Sequence, residues 1–287
     1  MKGQHVTITS EWTPREGERY VLGEGPRFVD GQPLIVDILS GRLIDSDSGR
    51  TLIQIDEPLG AVAPLTGRNG WIAAAGTGIA LIDPDGVEWL AKPEVSADTP
   101  MRMNDGVADP MGRFWAGSMA YDNRPGAGSL YRVGVDRTVD RVLNDLTVPN
   151  GPAFSNDGSV MYLADSARGV IFRFDVDTTL GDLGPAVEWV RVEGGSPDGM
   201  CVDENDHLWS AVWGGSRIDR YAPDGTRTAS VPVPVTQPTA VLITPDKRIL
   251  VTSASFGFDQ PQVDDGAVFV AETTVAAAPA ARYGPSN

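Results

Sequence analysis

A turn signal that keeps returning constrains this chain more than any other feature. Asp83-Pro84-Asp85-Gly86, Asp109-Pro110-Met111-Gly112, Ser155-Asn156-Asp157-Gly158, Asp203-Glu204-Asn205-Asp206, Ala222-Pro223-Asp224-Gly225 and Thr244-Pro245-Asp246-Lys247 each stand between short apolar runs. Asp and Asn side chains cap tight turns, Pro presets their dihedral angles and Gly reaches the ones other residues avoid, so the runs read as strands of hairpins. Six such runs align on Ile35, Ile72, Trp115, Met161, Leu208 and Ile249, at intervals of 37, 43, 46, 47 and 41 residues. A period of about 43 residues is that of a four-stranded propeller blade. Long amphipathic helical patterns are missing, and no linker divides the chain. The prediction is an all-β, six-bladed β-propeller forming a single domain over residues 1–287. A strand near Gln4 to Thr9 is expected to complete the blade that holds Ala267 to Val270, and the tail from about residue 273 is expected to fray.

The period allows the same place in each repeat to be compared. About eleven residues before each anchor stand Glu24, Ala61, Asn104, Asn150, a neighbour of Asp198 and a neighbour of Thr239. Four of these six places carry a carboxylate or amide oxygen, and each of the four has glycine one or two residues later: Glu24-Gly25, Asn104-Asp105-Gly106, Asn150-Gly151 and Asp198-Gly199. Read singly, each is a strand-entry turn. Read together, at the mouths of innermost strands, they converge on the axis at one end of the central channel. Two carboxylates and two amides meeting there need a cation or substrate donors, and hard oxygen ligands suit Ca²⁺, Mg²⁺ or Mn²⁺.

At these residues the chain resembles the senescence-marker protein, gluconolactonase and luciferin-regenerating-enzyme family of six-bladed propellers. The likeness runs through Gly23-Glu24-Gly25-Pro26, Arg102-Met103-Asn104-Asp105-Gly106, Asp109 to Met119, Gly128 to Arg132, Pro149-Asn150-Gly151-Pro152, Met161 to Ser166, and Pro197 to Asp203 with Leu208-Trp209. The resemblance implies one divalent metal ion held by Glu24, Asn150 and Asp198. Ca²⁺ is the expected ion, with Zn²⁺, Mn²⁺, Mg²⁺ and Fe²⁺ as alternatives. It also implies substrate contacts from Arg102 and Asn104, and from Asp122 in the register of a family acidic residue. The activity implied is opening of a sugar-acid lactone. Asp198 beside the metal would act as general base, while Arg102 and Asn104 hold the oxygen-rich substrate. Two other readings keep the same metal: a phosphotriesterase-like hydrolase, and a non-catalytic regulatory propeller that binds a divalent ion.

The remaining chemistry is narrow. The net charge of −16 disfavours nucleic acid and anionic membranes as partners, the resemblance implies a small-molecule lactone as the expected one, and the sequence does not specify an oligomeric state. One cysteine, Cys201, excludes an internal disulfide framework and CxxC sites, which fits a reducing, cytoplasmic setting, and its apolar context reads as packing. His5 and His207 cannot furnish a histidine-rich zinc site. Asp37 and Asp165, at like places in their blades, are expected to hydrogen-bond neighbouring turns, and Asp105 to tie down backbone. Gly76-Thr77-Gly78 reads as a hairpin turn, while Trp213-Gly214-Gly215-Ser216 and Phe256-Gly257-Phe258 stay unassigned between a pocket rim and packing, the commoner role of aromatics between strands.

Overall fold

Each of the six aligned runs forms the second strand of a four-stranded antiparallel sheet: Gln32–Asp37, Trp71–Ala75, Phe114–Ala120, Val160–Asp165, Leu208–Trp213 and Arg248–Ser253. The computed structural model describes residues 8–285 and contains six such sheets. The first strands are Gly23–Val29, Leu59–Pro64, Met101–Ala108, Pro149–Phe154, Ser196–Val202 and Pro238–Ile243. Each contacts the first strands of the sheets before and after it, and the first meets the last, so these strands line the axis of a six-bladed ring. We number the blades 1 to 6 in this order. Among the described residues the one helix is a short 3₁₀ turn, Ser166–Arg168, and no helix is long and apolar enough to cross a membrane.

The turn signals act as expected, and two of them do more. Asp109 Oδ1 accepts from the backbone amides of Met111 and Arg113, while its Oδ2 accepts from Arg113 Nε and Trp115 Nε1. Asp203 repeats the arrangement with Asn205, His207, Trp209 Nε1 and Arg220 Nε. A single carboxylate thus closes a turn and fixes a tryptophan six residues on. Trp115 and Trp209 are fully buried. An indole of this kind removes about 200 Å² from water, worth roughly 5 kcal/mol, provided its N–H keeps a partner. Asp37 and Asp165 also do what was expected of them: Asp37 accepts from the Leu22 amide, and Asp165 from the amides of Thr147 and Val148. Gly76 has φ +47 and joins two strands of blade 2 as a hairpin turn. Burial pushes the Cys201 thiol up to about 12, consistent with a packing role.

The ring closes through blade 6. Thr13–Pro14 pairs with Val270 and Phe269, Ile8 bridges Thr273, and the Thr9 amide donates to Glu272 O. Ile8 and Thr9 of the expected Gln4–Thr9 stretch thus meet blade 6 and the pairing continues to Thr13–Pro14, while Gln4 to Thr7 lie outside the described residues. The tail corrects its expectation more sharply. Val275, Ala277 and Tyr283 are buried, and the chain beyond residue 273 is tied at intervals across the ring. Glu204 N donates to Ala276 O, Ala280 N to Phe28 O, Tyr283 N to Pro64 O and Gly284 N to Gly112 O. These partners lie at the far ends of the first strands, so the tail crosses the face opposite the strand mouths. Its small residues need no periodic pattern to do this, because the strap is held by backbone donors and by Tyr283 in an apolar cluster.

Candidate functional site

The strand mouths share one irregularity. Pairing between first and second strands skips at Glu24/Arg27, Leu59/Ala61, Met103/Gly106, Asn150/Ala153, Pro197/Met200 and Pro238/Ala240. A bulge of this kind inserts an extra residue, bends the strand and re-aims a side chain. In blades 1, 3, 4 and 5 two residues leave the ladder: Gly25-Pro26, Asn104-Asp105, Gly151-Pro152 and Asp198-Gly199. In blades 2 and 6 only Gly60 and Thr239 do. The four wider bulges are the four places that carry a carboxylate or an amide side chain. Gly151 has φ +75, which an L side chain rarely adopts, and a Cβ at Gly199 would lie 2.3 Å from Ala240 Cβ, so both positions require glycine.

Glu24, Arg102, Asn104, Asn150, Ser166 and Asp198 all line one cavity of about 260 Å³ at this end of the channel. A chain of hydrogen bonds runs around three blades of its floor. Arg102 Nη1 donates to Asn104 Oδ1 at 2.6 Å, Asn104 Nδ2 to Asn150 Oδ1 at 2.7 Å, Asn150 Nδ2 to Ser166 Oγ at 2.8 Å, and Ser166 Oγ to Pro197 O at 2.5 Å. Donor follows acceptor throughout, which fixes both amides and leaves Asn150 Oδ1 as the oxygen turned toward Asn104. Ser166 is a member that sequence reasoning missed as a site residue. Its one signal was its place directly after Asp165, at the end of the strand paired with Pro149 and Asn150.

The electrostatics are those of crowded acids. Glu24 and Asp198 are each 5% exposed. Burial pushes the Glu24 carboxyl up to about 8, with the Asp105 charge adding to it. Asp198 is held well above the usual carboxylate range, first by burial and then by Glu24 and Asp105. Burial lowers the Arg102 pKa, against the opposing pull of Tyr121, Glu24 and Asp198. Asp198 Oδ1 is buried and has no hydrogen-bond partner. A carboxylate oxygen left this way costs free energy unless a cation meets it. Among the described residues no group of three or more His, Cys, Asp and Glu stands together as a metal cluster. The set that could hold an ion is two carboxylates and an amide, Glu24, Asp198 and Asn150. Its mutual repulsion, its hard oxygens and its orphaned Asp198 oxygen fit a divalent cation.

Directly below, Asp105 ties down backbone as expected, its Oδ1 accepting from Gly106 N and its Oδ2 from Gly151 N. It also faces Arg27, whose Nη2 donates to Gly106 O at 2.7 Å. Arg27 was not singled out in the sequence. It joins blade 1 to blade 3 beneath the site and partly balances the acidic cluster. Asp122 is a correction: its carboxylate is half exposed, accepts from Arg124, and does not line the cavity, where its neighbour Asn123 appears instead. The register points to the right loop, but Asp122 lies in a turn that directs it to solvent. Of the aromatics left between pocket rim and packing, Trp213 and Phe256 line the cavity.

Fold and site together define a six-bladed propeller with acidic and amide side chains gathered at one channel mouth. The chain belongs to the SMP-30/gluconolactonase/LRE-like family, whose model matches residues 22–255. It is 34% identical to an L-arabinolactonase of Azospirillum brasilense over 98% of both chains. It is 36% identical to a 6-deoxy-6-sulfogluconolactonase of Pseudomonas putida, over 77% of this chain and 78% of that one. Among solved structures, regucalcin of Agrobacterium tumefaciens, described as a calcium-binding protein, superposes with a TM-score of 0.84 at 31% identity, covering 93% of this chain and 95% of that one.

Proposed function

We propose that this protein is a metal-dependent sugar lactonase, with Glu24, Asn150 and Asp198 holding one divalent ion, Ca²⁺ first, and with Arg102 and Asn104 binding the substrate. The observation that carries the reading is the unpartnered, buried Asp198 Oδ1 beside a second buried carboxylate and the Arg102–Asn104–Asn150 chain. The lactonase relatives support the reaction class, and the calcium-binding neighbour supports the ion.

A divalent ion bound there would polarise the lactone carbonyl and acidify water. The protein's own part follows from its side chains. Arg102 offers the donors of its second guanidinium nitrogen, Nη2, to the carbonyl; Asn104, whose Nδ2 is taken up by Pro149 O and Asn150 Oδ1, is left with its Oδ1 to accept from the hydroxyl next to it, and the hydrogen-bond chain holds both in place before substrate arrives. The Asp198 carboxylate takes a proton from the attacking water as the water oxygen bonds to the carbonyl carbon. The ring C–O bond then breaks and the same proton passes to the departing ring oxygen, which leaves an aldonic acid with a new hydroxyl. The cavity of about 260 Å³ has room for one monosaccharide-sized ring.

The apolar rim formed by Trp213 and Phe256 favours a second reading, a phosphotriester electrophile at the same metal. The two separate in one experiment. Chelator-stripped protein is reloaded with single divalent ions and offered aldonolactones and phosphotriesters, with acid release followed at constant pH and spontaneous hydrolysis subtracted. Lactone opening that needs the ion and is lost in Asp198→Asn supports the proposal. Turnover of phosphotriesters alone, or ion binding with no turnover, refutes it.

A further inference from the structure

The aromatic residues of the cavity mouth stand on one side of the channel. Blades 3 and 4 line the cavity with Arg102, Asn104, Asn150 and Ser166, and also with the apolar Met119, Val148 and Ala167. Facing them, blades 5, 6 and 1 add an apolar arc of Trp213, Phe256 and Leu22 beside the carboxylates Asp198 and Glu24. Ser196, paired in register with Trp213, is the hydroxyl at the edge of this apolar arc. The arc is built, not incidental. Trp213 packs on the apolar cluster that contains Leu22 and Ala254. Leu22 bridges Ala254, and the Phe256 amide donates to Val21 O at 2.9 Å, which fixes the Phe256 loop against the entry of blade 1. Phe256 itself remains half exposed, so its ring faces the cavity without serving the core.

We infer that this arc selects lactones whose terminal carbon carries no hydroxyl, that is, ω-deoxy aldonolactones, and that Phe256 is a specificity-determining residue. The inference rests on the lactonase reading, which sets the orientation of the substrate. Its carbonyl and the neighbouring hydroxyl are held at the floor by Arg102 and Asn104, so the exocyclic carbon chain at the other end of the molecule reaches toward the rim. A terminal methyl there is removed from water against Trp213, Leu22 and Phe256. A terminal hydroxymethyl would lose its water and find no acceptor on those three side chains. Discrimination by an apolar pocket against an added hydroxyl is on the order of 10- to 100-fold.

The test uses matched pairs of 1,4-lactones that differ only in that hydroxyl: L-fucono- against L-galactono-, D-fucono- against D-galactono-, and L-rhamnono- against L-mannonolactone. In each pair the ion-loaded enzyme opens, kcat/KM is expected to favour the deoxy member by about 10-fold or more. Phe256→Asn places an acceptor on the half-exposed loop and is expected to cut that ratio below about threefold, while Phe256→Leu keeps it. Equal rates, preference for the hydroxylated member, opening of other lactones but of neither member of any pair, or a ratio untouched by Phe256→Asn overturns the inference and leaves the lactonase reading standing. Failure to open any lactone with any ion overturns the lactonase reading itself.

Discussion

Glu24 offers the most quantitative test of the crowded-acid site, because its charge opposes folding whenever no cation is bound. The carboxyl is pushed from an ordinary 4.5 up to about 8 in the folded protein, by burial first and Asp105 second. A carboxyl with a raised folded pKa is protonated longer in the folded state than in the unfolded one. Its penalty is therefore absent below about 4.5, grows as pH rises, and levels off above about 8. Each pH unit well inside that window costs about 1.4 kcal/mol and less near its two ends, so the metal-free protein loses about 3 kcal/mol of stability between pH 5 and pH 8 through this group. Glu24→Gln removes the charge and keeps the shape. In chelator, the variant is expected to gain on the wild type across that interval by about 3 kcal/mol, or about 1 M in urea midpoint at a slope near 3 kcal/mol/M. With saturating divalent ion the order reverses, since the wild type keeps a ligand that the variant lacks. Urea unfolding of both proteins at several pH values, with and without ion, reads all of this. A stability gap in chelator that stays flat from pH 5 to pH 8 would refute the electrostatic account.

Ser166→Ala removes the acceptor that orients the Asn150 amide, and is expected to weaken divalent-ion binding by about 10- to 100-fold in calorimetric titration while the fold holds. Asp122→Ala is expected to change KM for any lactone by less than about twofold, because its carboxylate is solvent-exposed and paired with Arg124 outside the cavity. Tyr283→Ala takes a buried ring from the cluster under blades 2 and 3 together with its bond to Gly134 O, and is expected to cost about 3–5 kcal/mol of stability in denaturant unfolding.

What the chain reveals before folding follows from how local each signal is. The blades are legible because turn residues and strand residues sit next to one another in sequence, and all six anchors fall on second strands. The polar mouth is legible because the blades repeat, so equal offsets land at equal places in space. Glu24, Asn104, Asn150 and Asp198 therefore meet although they are far apart in the chain. Ser166 and Arg27 repeat in no other blade and take their meaning from contacts across blades, with Pro197 O and with Asp105, which no spacing encodes. Asp122 shows the opposite limit. Its register is right to within one residue, but a turn decides which side chain enters the cavity, and Asn123, at φ +53, is the one that does. The tail shows that burial needs no periodicity: Val275, Ala277 and Tyr283 are held by backbone bonds to Glu204, Pro64 and Gly112, three separate parts of the ring.

The central claim is that one divalent ion held by Glu24, Asn150 and Asp198 is required to open a sugar lactone. Titrating chelator-stripped protein with Ca²⁺ while acid release from an aldonolactone is followed at constant pH tests it most directly. Activity is expected to rise from the spontaneous rate and to saturate at one ion per chain, with Asp198→Asn remaining at the spontaneous rate throughout. Full activity in the stripped protein, or undiminished activity in Asp198→Asn, would contradict the account.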